Sequence, residues 1–160
     1  KEYIAPELPQ PDTDDNGVTW YVEGHATNLT APSKSAPSVA PFAYSDAGTQ
    51  AAMVGKPVNR LRMVVAQAGT MTYGKWDLNT TFTKLGTLEL SGPELLQTFE
   101  IPTVTLQEGE TLAFHEKGDT GLFYYSNNDD GASAYFWRLV TGKKAHDKKN
   151  LGIDIGYCAE

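Results

Sequence analysis

The amino-acid sequence predicts an all-β fold, an antiparallel β-sandwich that we expect to be of jelly-roll type. Short runs rich in Val, Ile, Thr and aromatic residues recur along the chain, and Gly, Asn, Asp and Pro residues separate them. Helical periodicity is almost absent, and the longest helical candidate, residues 92–99, is only eight residues long. A series of strands without crossover helices favours antiparallel pairing.

The first strand signal is residues 18–23 (VTWYVE), where apolar and polar residues alternate. Alternation places Trp20 on the same face as its two valine neighbours, which predicts a buried Trp20. We expect the preceding Gly17 to take a positive φ in a turn that leads into this strand.

A second strong signal is residues 59–66 (NRLRMVVA), where the pattern assigns both faces of a strand. Leu61, Met63 and Val65 fall on an apolar face, and the two arginines fall on the other. Pro102 interrupts a later run and predicts an edge strand or a bulge there. About eight to ten strands are expected in all, and the remaining signals are residues 84–90, 97–106, 110–116, 121–126, 134–140 and 151–157.

The chain of 160 residues is predicted to hold one sandwich domain, residues 18–160, after an extended arm or linker, residues 1–17. The arm is rich in Pro and acidic residues and has little apolar spacing. Residues 30–41 contain three prolines and predict a long connection over the sandwich. Residues 142–152 contain four lysines and predict a solvated loop.

Composition narrows the classes of partner. The formal net charge is −7, which argues against nucleic acid or an anionic membrane surface as the main partner. No apolar run approaches the roughly 20 residues that a membrane-spanning helix needs. Cys158 is the single cysteine of the sequence, so no disulfide can form within the chain.

Residues 12–23 (DTDDNGVTWYVE) fit the template of a twelve-residue calcium loop. Asp12, Asp14 and Asn16 occupy the first three ligand positions, and Glu23 occupies the last. No helix pattern flanks this loop, however, and a straight strand cannot also curl around an ion. A turn is therefore the favoured interpretation, with calcium retained as a candidate ligand.

Enzyme signatures are missing from the sequence. It contains no G-x-S-x-G elbow, no H-E-x-x-H pair, no glycine-rich phosphate loop and no Cys-x-x-Cys pair. The three histidines are far apart and lack metal-ligand spacing. The protein is therefore expected to be non-catalytic and to need no cofactor, although distant acidic residues can converge in a β fold.

Aromatic residues beside polar ones predict a carbohydrate site. Sugars stack their C–H faces on flat rings, and their hydroxyl groups need polar partners. The stretch 72–81 (TYGKWDLNTT) offers Tyr73 and Trp76 as rings, with Asp77 and Asn79 as polar partners, at a loop or strand end. The alternative is that Trp76 folds back to cover the core, since Trp is well buried on average.

A second ring-and-polar group lies in residues 121–140, which we interpret as a hairpin. Tyr125 would be a further platform, with Asn127, Asn128 and Arg138 as hydrogen-bonding partners near the hairpin tip. The structural alternative is a surface Arg138 whose stem packs over an aromatic ring.

Residues 96–127 carry a resemblance to a known type of domain. The motifs are Gly109-Glu110 and Leu112-Ala113-Phe114, followed by an aromatic strand. The stretch resembles ancillary β-sandwich domains, similar to carbohydrate-binding modules, of bacterial secreted carbohydrate-active proteins and phage tail proteins. The resemblance implies a β-sandwich outside the cell, within a larger chain, but it assigns no binding residue, because these motifs are turn and core features.

The expected function is therefore non-catalytic binding of a polysaccharide or other glycan by an extracellular module. The alternative is a structural or receptor-binding module of a phage tail fibre or cell-surface assembly, which would form a stable oligomer, expected to be a trimer. Neither alternative involves nucleic acid or insertion into a membrane.

Overall fold

The computed structural model describes residues 17–23, 26–29, 32–34, 42–44, 51–77, 81–92, 95–115, 121–126, 136–140, 143–147 and 151–159. One short helical segment, residues 51–53, lies in these ranges, and no helix there is long and apolar enough to cross a membrane. The rest of the regular structure is strand: β1 (Val18–Val22), β2 (Pro32–Lys34), β3 (Phe42–Tyr44), β4 (Pro57–Val65), β5 (Gly69–Trp76), β6 (Phe82–Leu90), β7 (Leu95–Thr105), β8 (Thr111–His115), β9 (Tyr124–Ser126), β10 (Phe136–Val140), β11 (Lys143–Asp147) and β12 (Ile153–Cys158).

The strands form two sheets and one additional pair. The small sheet has four strands in the order β1-β12-β4-β7, and the large sheet has six in the order β11-β10-β3-β8-β5-β6. Strands β2 and β9 pair with each other. Neighbouring strands are antiparallel in each case. The predicted all-β, antiparallel character is confirmed.

One apolar cluster, which we call the main core, contains side chains from both sheets. Strand β4 of the small sheet contributes Leu61, Met63 and Val65, and the large sheet contributes Met71 and Phe114 among others. The alternation predicted for residues 59–66 is confirmed, since these three β4 side chains are buried on one face. Burial of apolar surface from both sheets drives their association.

A β-bulge in β1 changes the faces predicted for residues 18–23. Trp20 pairs with Gly156 and Val22 pairs with Ile155, so Tyr21 is the additional residue. Val22 reaches the main core, whereas Trp20 is buried against Arg62 on the opposite face of the small sheet. The prediction that Trp20 is buried is confirmed, but its placement on the same face as Val22 is wrong.

A buried ion pair lies on that opposite face. The Arg62 guanidinium donates two hydrogen bonds to Asp154 Oδ2, at 2.9 Å from Nε and 2.7 Å from Nη2. The Ala26 N–H donates to Asp154 Oδ1 at 3.0 Å. The Trp20 ring lies 4.2 Å from Arg62 Cζ. These contacts offset the cost of removing both charges from water.

Two local predictions from glycine and proline are confirmed. Gly17 has a φ of +81°, as expected for the turn before β1. Pro102 lies in β7, the edge strand of the small sheet, and the β4–β7 register shifts between Val58 and Arg60 opposite this part of β7. Proline lacks the N–H that a ladder hydrogen bond needs, and it is tolerated at Pro102 because this edge and bulge position requires no such donor.

Two predictions about the second half of the chain are wrong. Residues 121–126 and 136–140 do not form a hairpin, because β9 pairs with β2, and β10 pairs with β3 and β11. Residues 143–147, predicted to be part of a solvated loop, form β11. Sequence proximity favoured the wrong partner in the first case, and a lysine-rich composition obscured a strand in the second.

The buried ion pair predicts a large difference between two neighbouring arginines. Arg62→Ala should lower the free energy of unfolding by about 3–5 kcal/mol, because it leaves the fully buried Asp154 carboxylate without its cation. Arg60→Ala is the comparison and should cost clearly less: its side chain is 13% exposed and loses packing, but its partner Glu100 is 78% exposed, so no buried charge is left unpaired. Urea unfolding measures both. If both variants lose the same free energy of unfolding, the difference in burial between the two ion pairs does not set their contributions to stability.

Candidate functional site

The first predicted ring site lies at the end of β5, but its rings do not face solvent. Trp76 is the last residue of β5, as expected for a strand end, and it is 0% exposed. Tyr73 is 4% exposed and belongs to the main core. The expectation that these two rings form an open platform is wrong, because both are enclosed by the protein.

Trp76 instead forms a second buried group, the outer cluster, with Ala43 and Ala113, and Phe82 packs against it. The register explains this grouping, because Trp76 pairs with Phe82 of β6 and with Thr111 of β8. These residues lie on the face of the large sheet opposite the main core, where Phe82 also makes an edge-on contact with the His115 ring at 6.2 Å. Trp76 is therefore buried, as the alternative interpretation expected, but on the face of the large sheet opposite the main core rather than over it.

Tyr73 has a structural reason to be inside. It pairs with Gly86 across a β-bulge in β6, and a Cβ on Gly86 would lie only 3.0 Å from the Tyr73 ring and hydroxyl. The absence of a side chain at Gly86 lets the Tyr73 ring cover the neighbouring strand. Burial raises the pKa of the Tyr73 phenol.

Asp77 is exposed, but its carboxylate closes a turn. Asp77 Oδ1 accepts a hydrogen bond from the Thr81 N–H at 3.1 Å, and the Asp77 N–H donates to the Thr81 carbonyl at 3.1 Å. Asn79, predicted to lie beside it, is outside the described residues. Of the predicted residues near β5, Asp77 alone is both described and accessible.

The second predicted group is only partly described. Tyr125 is half-buried in β9, where it pairs with Ser33 and packs against the main core. The backbone of Arg138 pairs with Phe42 of β3 and Ala145 of β11. Asn127 and Asn128 lie outside the described residues. Tyr125 and Arg138 belong to different strand systems, so the predicted hairpin does not join them.

The candidate calcium ligands Asp12, Asp14 and Asn16 lie outside the described residues. Within the described ranges, no group of three or more His, Cys, Asp or Glu side chains is close enough to hold a metal ion. The calcium prediction therefore stays a prediction.

The structure brings together three residues that the sequence did not single out: Tyr21, Tyr157 and Lys56, which we call the tyrosine patch. Tyr21 is the bulge residue of β1, and Tyr157 lies in β12 opposite Thr19. Both tyrosines are half-buried, and Lys56 is exposed. The Lys56 ammonium lies 5.3 Å from the centroid of the Tyr21 ring, within the range of a cation–π contact.

The turn that carries Lys56 is fixed by backbone hydrogen bonds. The Gly55 N–H donates to the Leu106 carbonyl at 2.8 Å, and the Lys56 N–H donates to the Met53 carbonyl at 3.1 Å. Gly55 has a φ of +78°, which a residue with a side chain rarely adopts. Lys56 is thereby placed beside Tyr21 rather than on a free loop.

The phenol groups of the tyrosine patch are available for hydrogen bonding. No hydrogen bond of either hydroxyl occurs within the described part of the chain. Desolvation raises the pKa of Tyr21, and the neighbouring Tyr157 phenol raises it further, so Tyr21 is a neutral donor at physiological pH. The tyrosine patch therefore combines two half-buried aromatic rings, their phenol groups and the Lys56 ammonium.

Sequence reasoning missed the tyrosine patch because the β1 bulge reverses the local pattern. Regular alternation separates Tyr21 from Val22, whereas the bulge lets Val22 reach the main core while Tyr21 packs beside it. Tyr157 and Lys56 are remote from Tyr21 in the sequence, and no local signal connects them.

Comparisons with known proteins add no relative, since no family model, curated protein or solved structure matches the chain.

The burial of Trp76 predicts a stability effect. Trp76→Ala should lower the free energy of unfolding by about 3–5 kcal/mol, because it opens a cavity in the outer cluster. Glu108→Ala, in the exposed turn before β8, is the control and should change it by less than about 0.5 kcal/mol. Denaturant unfolding of both variants checks this. A Trp76→Ala protein of unchanged stability would contradict the buried position.

Proposed function

We propose that this protein is a non-catalytic carbohydrate-binding domain in which the tyrosine patch, rather than Trp76 and Tyr73, provides the platform for the sugar. One observation supports the assignment: Tyr21 and Tyr157 are partly open rings, and the Lys56 ammonium lies 5.3 Å from the centroid of one of them. The buried rings of β5 are excluded from this role as long as the sheet stays intact.

The chemistry of the patch suits a saccharide. A tyrosine ring supplies a flat apolar surface at low cost in side-chain entropy, and its hydroxyl group can pair with sugar hydroxyls. Lys56 can donate up to three hydrogen bonds to ring oxygens, hydroxyls or a carboxylate. Tyr21 is held in place by its packing against the main core, so little ordering is needed on binding.

The proposed domain is a sandwich of jelly-roll type that acts outside the cell as a module of a larger protein. Two antiparallel sheets that share one core support a sandwich. The resemblance of residues 96–127 to ancillary modules of secreted carbohydrate-active and phage tail proteins suggests the setting. It adds no ligand residue.

A structural or receptor-binding module of a tail fibre or cell-surface assembly is the second candidate. The burial of Trp76 and Tyr73 favours it, because these residues were the strongest sequence signal for a sugar site and both are used in packing. A purely structural module would bind no free glycan, so a binding measurement separates it from the sugar-binding candidate.

The proposed sugar site predicts the effect of removing each ring. Tyr21→Leu and Tyr157→Leu should each weaken glycan binding about tenfold or more, a loss of about 1.4 kcal/mol, because leucine removes the flat face. At Tyr21, leucine also keeps an apolar contact with the main core. The measurement is a glycan array to find a ligand, followed by affinity gel electrophoresis in the matching polysaccharide.

Tyr125→Leu is the matched control, since Tyr125 is also half-buried and also packs against the main core. Its binding should be unchanged. If Tyr125→Leu loses binding while the other two variants keep it, the site lies at β9. If the unaltered protein binds no glycan, the assembly candidate replaces the sugar candidate.

The calcium ligands proposed in residues 12–23 predict a thermal shift. If Asp12, Asp14 and Asn16 hold calcium in the native state, added calcium must raise Tm, by mass action, and a chelator must reverse the change. Asp12→Asn with Asp14→Asn should abolish the shift without changing Tm in chelator. An unchanged Tm at high calcium would leave the turn as the explanation of this motif.

A further inference from the structure

Strand β6 presents an open edge. It is the last strand of the large sheet, and β5 is its partner in that sheet; no other described strand pairs with it. The backbone groups on an open edge can pair with another chain. The side chains of Lys84, Thr87 and Glu89 on this strand are exposed.

The side chain of Gln97 limits how far this open edge extends, because it occupies the backbone groups of the residue that follows β6. Its side-chain amide hydrogen-bonds to the Ser91 carbonyl and also accepts from the Ser91 N–H at 3.4 Å. The backbone groups of Ser91 are therefore already occupied by a side chain. The segment able to pair with another chain ends at Leu90.

The bulge in β6 places its two charges symmetrically. Lys84 pairs with Gly74, Thr87 with Thr72 and Glu89 with Thr70, so the three residues lie on one face at equal intervals along β5. If β6 were a regular strand with Leu85 in register, Lys84 and Glu89 would be five positions apart and would fall on opposite faces, because side chains alternate along a regular strand. Glu89 is held on this face by the Thr70 hydroxyl, which donates to Glu89 Oε1 at 2.9 Å.

We propose that a second copy of this chain docks on this edge, β6 against β6, with a two-fold axis beside Thr87. An antiparallel pair centred on Thr87 puts Lys84 of each copy opposite Glu89 of the other, and a two-fold axis makes two such pairs. A different strand could make the same two ion pairs only if it carried an acidic residue opposite Lys84 and a basic residue opposite Glu89. A second, antiparallel copy of β6 carries both. The large sheets of the two copies would then form one continuous sheet.

The exposure of the Leu85 side chain also favours a second copy on this edge. It is the one exposed large hydrophobic side chain among the described residues, at 43% exposure, and it is the bulge residue next to the proposed axis. Strand β7, one of the two edge strands of the small sheet, is a poorer partner. It contains Pro102, and its register with β4 shifts near that residue.

Charge exchange tests the proposal. Sedimentation equilibrium of the unaltered protein should give a monomer–dimer equilibrium. Lys84→Glu and Glu89→Lys should each weaken dimerisation about tenfold or more, because each turns two attractive pairs into two repulsive ones. The double variant Lys84→Glu with Glu89→Lys restores the opposite-charge pairs and should return the dimerisation constant to within about threefold of its original value.

Controls of equal net charge change are available elsewhere. Glu108→Lys and Lys34→Glu reverse exposed charges away from β6 and should leave dimerisation unchanged. A protein that stays monomeric at all concentrations, or one that forms a trimer, would overturn the proposal. So would a double variant that dimerises no better than either single one.

A cysteine scan tests the register independently of stability. In a Cys158→Ser background, Thr87→Cys should form a disulfide between copies on oxidation, because a residue on the axis faces itself across about 4.5–5.5 Å. Thr83→Cys should not, since the same register places Thr83 opposite Leu90 of the other copy. Equal cross-linking of both variants would refute this register.

Discussion

Strand β4 of the small sheet and strand β8 of the large sheet are buried on both faces, and much of the described structure follows from this constraint. In β4 every residue from Leu61 to Val65 is buried, and in β8 residues 111–114 are buried. A two-layer antiparallel sandwich ordinarily leaves its outer faces wet. Here polar side chains on an outer face are buried and need hydrogen-bonding partners within the protein. Arg62 and Asp154 are the clearest case, since they pair with each other and Asp154 also accepts from the Ala26 N–H.

Burial on both faces also decides where a ligand or partner can bind. Trp76 lies on the outer face of the large sheet, which in a simple sandwich would be exposed, yet it is enclosed in the outer cluster. Partly or fully exposed side chains that could contact another molecule lie instead on edge strands: Tyr21 on β1, and Lys84 and Glu89 on β6. The proposed sugar site and the proposed contact between copies are both edge features for that reason.

The local sequence pattern predicted the fold class and the positions of the strands better than it predicted which strands pair and which side chains pack together. The faces of β4 and the position of Pro102 at an edge follow from chemistry within a few residues. Trp76 is buried with Ala43 and Ala113, which are remote from it in the sequence. Likewise, β9 pairs with β2, which lies far earlier in the chain. Of the candidate site, the sequence indicated only the kind of residue, an aromatic ring beside polar groups, and not which rings remain open.

Both edges use the same device, an additional residue in a strand. In β1 the bulge at Tyr21 lets Val22 enter the main core while Tyr21 stays beside Tyr157 and Lys56. In β6 the bulge at Leu85 brings Lys84 and Glu89 to one face at equal distances from Thr87. A period of two cannot reveal either arrangement, because one inserted residue exchanges the faces of everything beyond it. The bulges, which look like irregularities in the pairing, therefore determine which side chains lie together on these two edge strands.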